Sequence, residues 1–175
     1  MKHFTSINDV PDLAKLLKQT QAIQANPFQE TSLGENKTLG LVFMNPSLRT
    51  RLSTQKAAQN LGLSCMVLNM NAESWKLETQ DGVVMNADKA EHIKDAAAVM
   101  GQYCDIIGIR TFAQLKNQEE DYQEHLLNQF RDYAGVPILS LESATLHPLQ
   151  SLADILTIET NKPKQRPKVV LSWAP

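Results

Sequence analysis

The chain has 175 residues, 42% of them hydrophobic and 21% charged, with a mean hydropathy of −0.30; that is enough apolar material for one sizeable core and excludes a wholly disordered chain. Lys and Arg total 17 against 19 Asp and Glu, a formal net charge of −2, so there is no surplus of positive charge for a nucleic-acid backbone or an anionic membrane. No run approaches the ~20 apolar residues that span a bilayer, Met1 to Val10 lacks a signal-peptide core, and Cys65 and Cys104 stand apart in apolar stretches, so we expect a soluble cytoplasmic protein with buried free thiols.

Apolar segments alternate along the chain in a way that predicts an α/β domain, a parallel sheet flanked by helices. Asp9 is expected to cap a first helix with Pro11 in its opening turn and Leu13, Leu16 and Leu17 on one face. Thr38 to Phe43 reads as a strand buried on both faces and ends at Asn45-Pro46. A second helix runs from Ser47 to about Leu61 and closes at Gly62, and Cys65 to Asn69 follows as a strand. Met70 to Lys89 carries no sustained period and is expected to be a long loop. Helix is predicted over Glu91 to Tyr103, strand over Asp105 to Ile109, helical register for Leu126, Leu127 and Phe130 within the polar Lys116 to Phe130 segment, and strand over Val136 to Leu141. His147-Pro148 opens a last helix reaching about Thr160. Asn161 to Lys168 has the composition of a linker, and Val169 to Trp173 looks like one more strand.

Three constellations fall at the carboxyl ends of predicted strands. Asn45 to Arg51, N-P-S-L-R-T-R, opens a helix whose first N–H groups, with Ser47, Thr50 and the Arg49 fork, suit a phosphate-like anion. Arg51 lies about 200° around the helix from Arg49 and is assigned to structure. Arg110 follows the Asp105 to Ile109 strand, where ligands bind in open parallel sheets. His147 and Gln150 share a face of one helical turn and offer an imidazole beside an amide. Glu142, between a strand and His147, is placed to accept hydrogen bonds from an amine, and Trp75 is too amphipathic in its polar surroundings to read as core alone. Each residue has a plainer reading as a cap, a strand-end charge or a surface group; their convergence on one sheet edge favours a single anion site. His3, His92 and His125 have no metal-ligand spacing among them, and no nucleotide phosphate loop of the familiar glycine-rich kinds is present.

In order and separation, Ser47-Leu48-Arg49-Thr50-Arg51, Arg110 and His147-Pro148-Leu149-Gln150 resemble the carbamoyl-phosphate site of the transcarbamylases. Trp75-Lys76-Leu77-Glu78 and Leu141-Glu142-Ser143-Ala144-Thr145 look like the branch of that family that acts on N-acylornithines. The resemblance implies a carbamoyl-phosphate-binding domain over residues 1–160, with 161–175 forming a linker and the first strand of a second, amino-acid-binding domain. It implies that Ser47, Leu48, Arg49 and Thr50 hold the phosphate, that Arg110 bridges phosphate and carbonyl oxygen, that His147 stabilises charge on that oxygen, and that Gln150 holds the carbamoyl NH2. It further implies a homotrimer in which Trp75 enters the neighbouring subunit's site, contact between Glu142 and the acylornithine, and no metal or organic cofactor. Leu48 stands where aspartate and ordinary ornithine enzymes have Thr. Ala90 stands where the acetyl type has Glu and the succinyl type Pro; lacking a carboxylate to repel a succinyl group, it favours N-succinylornithine over N-acetylornithine. The alternatives that stay open are transfer to free ornithine and a non-catalytic carbamoyl-phosphate-binding or oligomerising module.

Overall fold

Strand β1, Thr38–Phe43, organises the protein because both of its faces are apolar: Leu39, Leu41 and Phe43 point into one core and Val42 into another. The structure is a computed structural model and describes residues 2–70, 76–85 and 88–172. In chain order its longer elements are α1 (Leu13–Ala25), β1, α2 (Arg49–Asn60), β2 (Ser64–Asn69), β3 (Leu77–Glu78), β4 (Glu91–His92), α3 (Ile93–Tyr103), β5 (Ile106–Arg110), α4 (Gln118–Tyr122), α5 (His125–Tyr133), β6 (Ile138–Glu142) and α6 (Pro148–Asn161).

Four of the strands form one parallel sheet in the order β2-β1-β5-β6, with Phe43 level with both Asn69 and Arg110. One core lies between the sheet and helices α3 and α5, where Ile93, Ala97, Leu127 and Phe130 meet Val42, Ile107, Ile109 and Ile138. The other lies beneath α2 and α6, where Ala58 and Leu149 meet Leu39, Leu41, Phe43 and Leu141. The chain leaves β1 for β2 on one side and returns to β5 on the other. The order therefore reverses between β1 and β5, and the connections leaving the carboxyl ends of these two paired strands run to opposite faces of the sheet, the place where open parallel sheets form a ligand crevice.

β1 and the order of the main elements are as predicted, and Gly62, at φ 78°, makes the left-handed turn from α2 into β2. Several expectations are corrected. The cap of α1 is Asp12, whose carboxylate accepts Lys15 N–H at 2.9 Å; Asp9 instead closes a short 3-10 turn at Ile7–Asp9 by accepting the Ser6 and Thr5 amides. The expected loop over 70–89 contains β3, which pairs with β4 just beyond it. The Lys116 to Phe130 segment is two helices broken at Glu124, which sits at φ 49°. Cys65 is half-buried rather than buried, while Cys104 is buried; burial raises the pKa of both thiols, with Asp105 adding to the effect at Cys104. The described part of the expected terminal strand, residues 169–172, is irregular. Val169, Val170 and Leu171 are exposed, with no neighbouring strand among the described residues to supply a ladder.

Candidate active site

The turn after β1 is held from the neighbouring strand. Met44 N–H donates to Arg110 O at 3.0 Å, Asn45 Oδ1 accepts Phe112 N–H at 2.9 Å, and Arg110 Nη1 donates to Pro46 O at 2.6 Å. These bonds fix Pro46 and Ser47 at the mouth of the crevice, where Ser47 Oγ accepts Thr50 N–H at 3.2 Å. Helix α2 begins at Arg49 with no side-chain cap on its Leu48 N-cap, so other first-turn amides lack intrahelical acceptors. Arg49 is exposed there. Arg51 turns away: its guanidinium bonds Asn69 Oδ1 and lies 5.3 Å from the Phe43 ring centroid, as the ~200° separation predicts.

Arg110 is the last residue of β5 and is only 9% exposed. The β5–β6 register slips between Ile109 and Arg110, so that Arg110 pairs with Glu142 instead of Leu141. The Glu142 Oε2 atom accepts from Nε at 3.2 Å and from Nη2 at 3.1 Å, and the guanidinium stacks 4.0 Å from the Phe112 ring centroid. The expectation of a strand-end cation therefore becomes a buried, oriented cation with a carboxylate partner. Oε1 of Glu142 has no protein partner among the described residues.

His147 is the N-cap of α6, and its Nδ1 accepts Gln150 N–H at 3.3 Å. This acceptor role puts the proton of the neutral ring on Nε2, making that atom a donor. The Gln150 Nε2 atom donates to Asp154 Oδ1 at 2.8 Å; a carboxylate accepts only, so Asp154 fixes which end of the amide remains available, the oxygen.

Ser47, Leu48, Arg49, Thr50, Arg110, Glu142, His147 and Gln150 all line one cleft of about 600 Å³, together with Pro46, Ser53, Thr54, Leu141 and Leu149. Trp75, the remaining predicted site residue, lies outside the described residues. Sequence reasoning missed Ser53, Thr54 and Asp154. Ser53 and Thr54 follow Thr50 at i+3 and i+4, and Asp154 follows Gln150 at i+4, spacings that extend a known face by one turn. No group of three or more His, Cys, Asp or Glu among the described residues could hold a metal, and no described helix is long and apolar enough to cross a membrane. Chemically, the cleft pairs a helix start with open amides, a geometry suited to an anion, with two arginines, an imidazole whose Nδ1 already accepts a hydrogen bond and an amide oxygen acceptor.

Residues 2–160 match the family model described as aspartate/ornithine carbamoyltransferase, carbamoyl-P binding domain. The chain belongs to this family of carbamoyltransferases. It is 55% identical over 175 residues to an N-succinylornithine carbamoyltransferase of Bacteroides thetaiotaomicron, covering all of this chain and 55% of the relative. Among solved structures, acetylornithine transcarbamylase complexed with acetylcitrulline superposes with a TM-score of 0.85 at 35% identity, over 91% of this chain and 48% of that one. A variant of N-acetyl-L-ornithine transcarbamylase with one glutamate replaced by alanine, complexed with carbamyl phosphate and N-succinyl-L-norvaline, matches equally, with a TM-score of 0.85 at 36% identity over the same shares. The chain spans about half the length of the relatives it matches.

Proposed function

We propose that this chain supplies the carbamoyl-phosphate half of an N-acylornithine carbamoyltransferase, which moves the carbamoyl group of carbamoyl phosphate to the δ-amine of an N-acylornithine in arginine biosynthesis. The observation that carries the reading is the convergence of Arg49, Arg110, His147 and Gln150 on one cleft at the sheet's switch point. Arg49, Ser47, Thr50 and the α2 amides hold the phosphate, with Leu48 contributing its backbone. Arg110 reaches from the phosphate to the carbonyl oxygen. As the amine attacks the carbonyl carbon, charge grows on that oxygen, and His147 Nε2–H donates to it; the C–O bond to phosphate then breaks and the amine loses its proton. The Gln150 oxygen, turned by Asp154, accepts from the carbamoyl NH2. Positioning and charge stabilisation supply the rate, with no metal or organic cofactor.

Glu142, through Oε1, meets the acylornithine, and Trp75 comes from the adjacent subunit of a cytoplasmic homotrimer. Succinyl is the favoured acyl group. Ala90 is exposed and carries no carboxylate to repel a second anion, and the acetylornithine transcarbamylase variant that exchanges glutamate for alanine is complexed with a succinyl ligand. Turnover belongs to a protein that joins this chain to an amino-acid-binding half. Calorimetry with carbamoyl phosphate tests the site: Arg49→Ala should weaken binding at least about tenfold. Equal affinity in wild type and variant would overturn the phosphate assignment.

A further inference from the structure

Glu142 and His147 are separated by only four residues, and that short turn is gripped by a side chain from a different part of the fold. Glu124 sits between α4 and α5 in the left-handed region, φ 49° and ψ 36°, which costs a non-glycine residue and persists only where contacts repay it. Its carboxylate provides the contacts. Glu124 Oε1 accepts from Ser143 Oγ at 2.7 Å, Thr145 N at 2.9 Å and Thr145 Oγ1 at 2.6 Å, and Oε2 accepts from Ala144 N at 3.2 Å. One carboxylate thus holds three of the four residues that set the distance and direction from Glu142 to His147.

One helical turn earlier, Asp121 does the same for the loop after β5. Its Oδ1 accepts Gln114 N–H at 2.8 Å and its Oδ2 accepts Leu115 N–H at 3.0 Å, just beyond Arg110 and Phe112. The α4–α5 junction therefore braces both of the loops that leave the catalytic edge of the sheet on this side. Hydrogen bonds to a carboxylate are roughly twice as strong as neutral ones, so a single side chain can immobilise a turn that buries little apolar surface.

We propose that Glu124 is a positioning residue for the carbamoyl end of the site: it touches no substrate, and it sets the placement of His147 and Gln150 through the 143–146 turn. The proposal rests on the reading of the cleft as a carbamoyl-phosphate site. The phosphate end is built on α2, which Glu124 does not contact, so the two ends should separate in experiment. Inorganic phosphate uses the α2 end and Arg110, to which the Glu124 carboxylate makes no hydrogen bond, whereas carbamoyl phosphate also uses His147 and Gln150.

The test compares wild type, Glu124→Ala and Glu124→Gln in the full chain, by amide hydrogen exchange without ligand and by calorimetry with carbamoyl phosphate and with inorganic phosphate. In Glu124→Ala, exchange at Ala144 and Thr145 should accelerate. Carbamoyl phosphate affinity should fall about tenfold while inorganic phosphate affinity stays within about twofold. Glu124→Gln keeps one acceptor oxygen for Ser143 and Thr145 and should recover most of the carbamoyl phosphate affinity. Unchanged exchange at 144 and 145 in Glu124→Ala would overturn the proposal whatever the ligands do. So would accelerated exchange with both affinities intact, or an equal loss of both, which is the mark of general destabilisation. A wild-type chain that does not prefer carbamoyl phosphate to inorganic phosphate would instead overturn the reading of the cleft, and the role of Glu124 with it.

Discussion

Arg110 and Glu142 face one another across the register slip between β5 and β6, with Nε and Nη2 of the guanidinium at 3.2 and 3.1 Å from the same carboxylate oxygen. The pair is mostly shielded, at 11% and 30% side-chain exposure, so its charges are screened less than those of a surface ion pair. It gives the cleft a cation whose direction is fixed and whose field is partly cancelled. Glu142→Gln keeps the shape and removes the cancelling charge. We expect inorganic phosphate to bind about fivefold tighter, the equivalent of roughly 1 kcal/mol, and the protein to lose about 1–2 kcal/mol of stability. Titration calorimetry and urea unfolding check both, and phosphate affinity that stays the same or falls would refute Glu142 as the counter-charge.

Arg49 and Arg51, two residues apart on α2, have different surroundings. Arg49 is exposed on the cleft, whereas Arg51 is bound to Asn69 and Phe43, with its Nε buried and unpartnered among the described residues. Arg51→Met should lower stability by about 1 kcal/mol and leave phosphate affinity within about twofold. Arg49→Ala should do the reverse, with stability within about 0.5 kcal/mol of wild type. The pair of variants is informative together: a loss of binding in Arg51→Met as large as in Arg49→Ala would mean that both arginines serve the anion.

Much of this was legible in the sequence because its causes are local. The continuous apolar run over Thr38–Phe43 could only be a strand covered on both faces, and the helix period alone separates Arg49 from Arg51. The partners of the site residues were not legible, because they come from distant segments. Nothing near Arg110 in the chain announces that a register slip will bring it to Glu142, and Glu124 lies in a stretch whose charges read as a solvated helix face. Short-range signals also misled where two candidates compete, as with Asp9 and Asp12, both able to cap and only three residues apart. The β3–β4 pair was invisible for a related reason: two-residue strands carry no period to detect.

Gly101, in the last turn of α3, marks where that helix meets the end of α5. A Cβ at this position would lie 1.8 Å from the Ala134 carbonyl oxygen, a backbone atom that cannot swing aside. Replacing an exposed helical glycine by alanine ordinarily gains about 1 kcal/mol. Here the sign should invert, because the clash forces α3 away from α5 and opens the core around Ala97 and Phe130; Gly101→Ala should cost about 3 kcal/mol. A denaturation midpoint at or above that of wild type would show that the two helices can separate at no cost.

His3 ties the N-terminal segment to the outer edge of β6. Its Nδ1 accepts Ile138 N–H at 3.1 Å, next to the ladder bonds that Phe4 makes to Ile138 and Ser140. An imidazolium cannot accept, so the contact requires the neutral ring. The pKa of His3 is held below the ordinary histidine value of 6.5, first by burial and then by the nearby charges of Lys2 and Arg131, with Asp9 and Asp132 opposing. The direction of the linkage follows: the unfolded chain takes up the proton first, so the stabilising contribution is complete above the unfolded pKa and is lost as pH falls through the folded one. Wild type should therefore lose stability between about pH 7.5 and pH 5. His3→Ala should be less stable at the upper pH by about 1 kcal/mol, the worth of one hydrogen bond, and should lose less on acidification. Urea unfolding of both proteins at the two pH values isolates this contribution from the other histidines, since only the difference between the proteins is read. Equal losses in wild type and variant would mean that the His3 ring does not control the attachment of the N-terminal segment to β6.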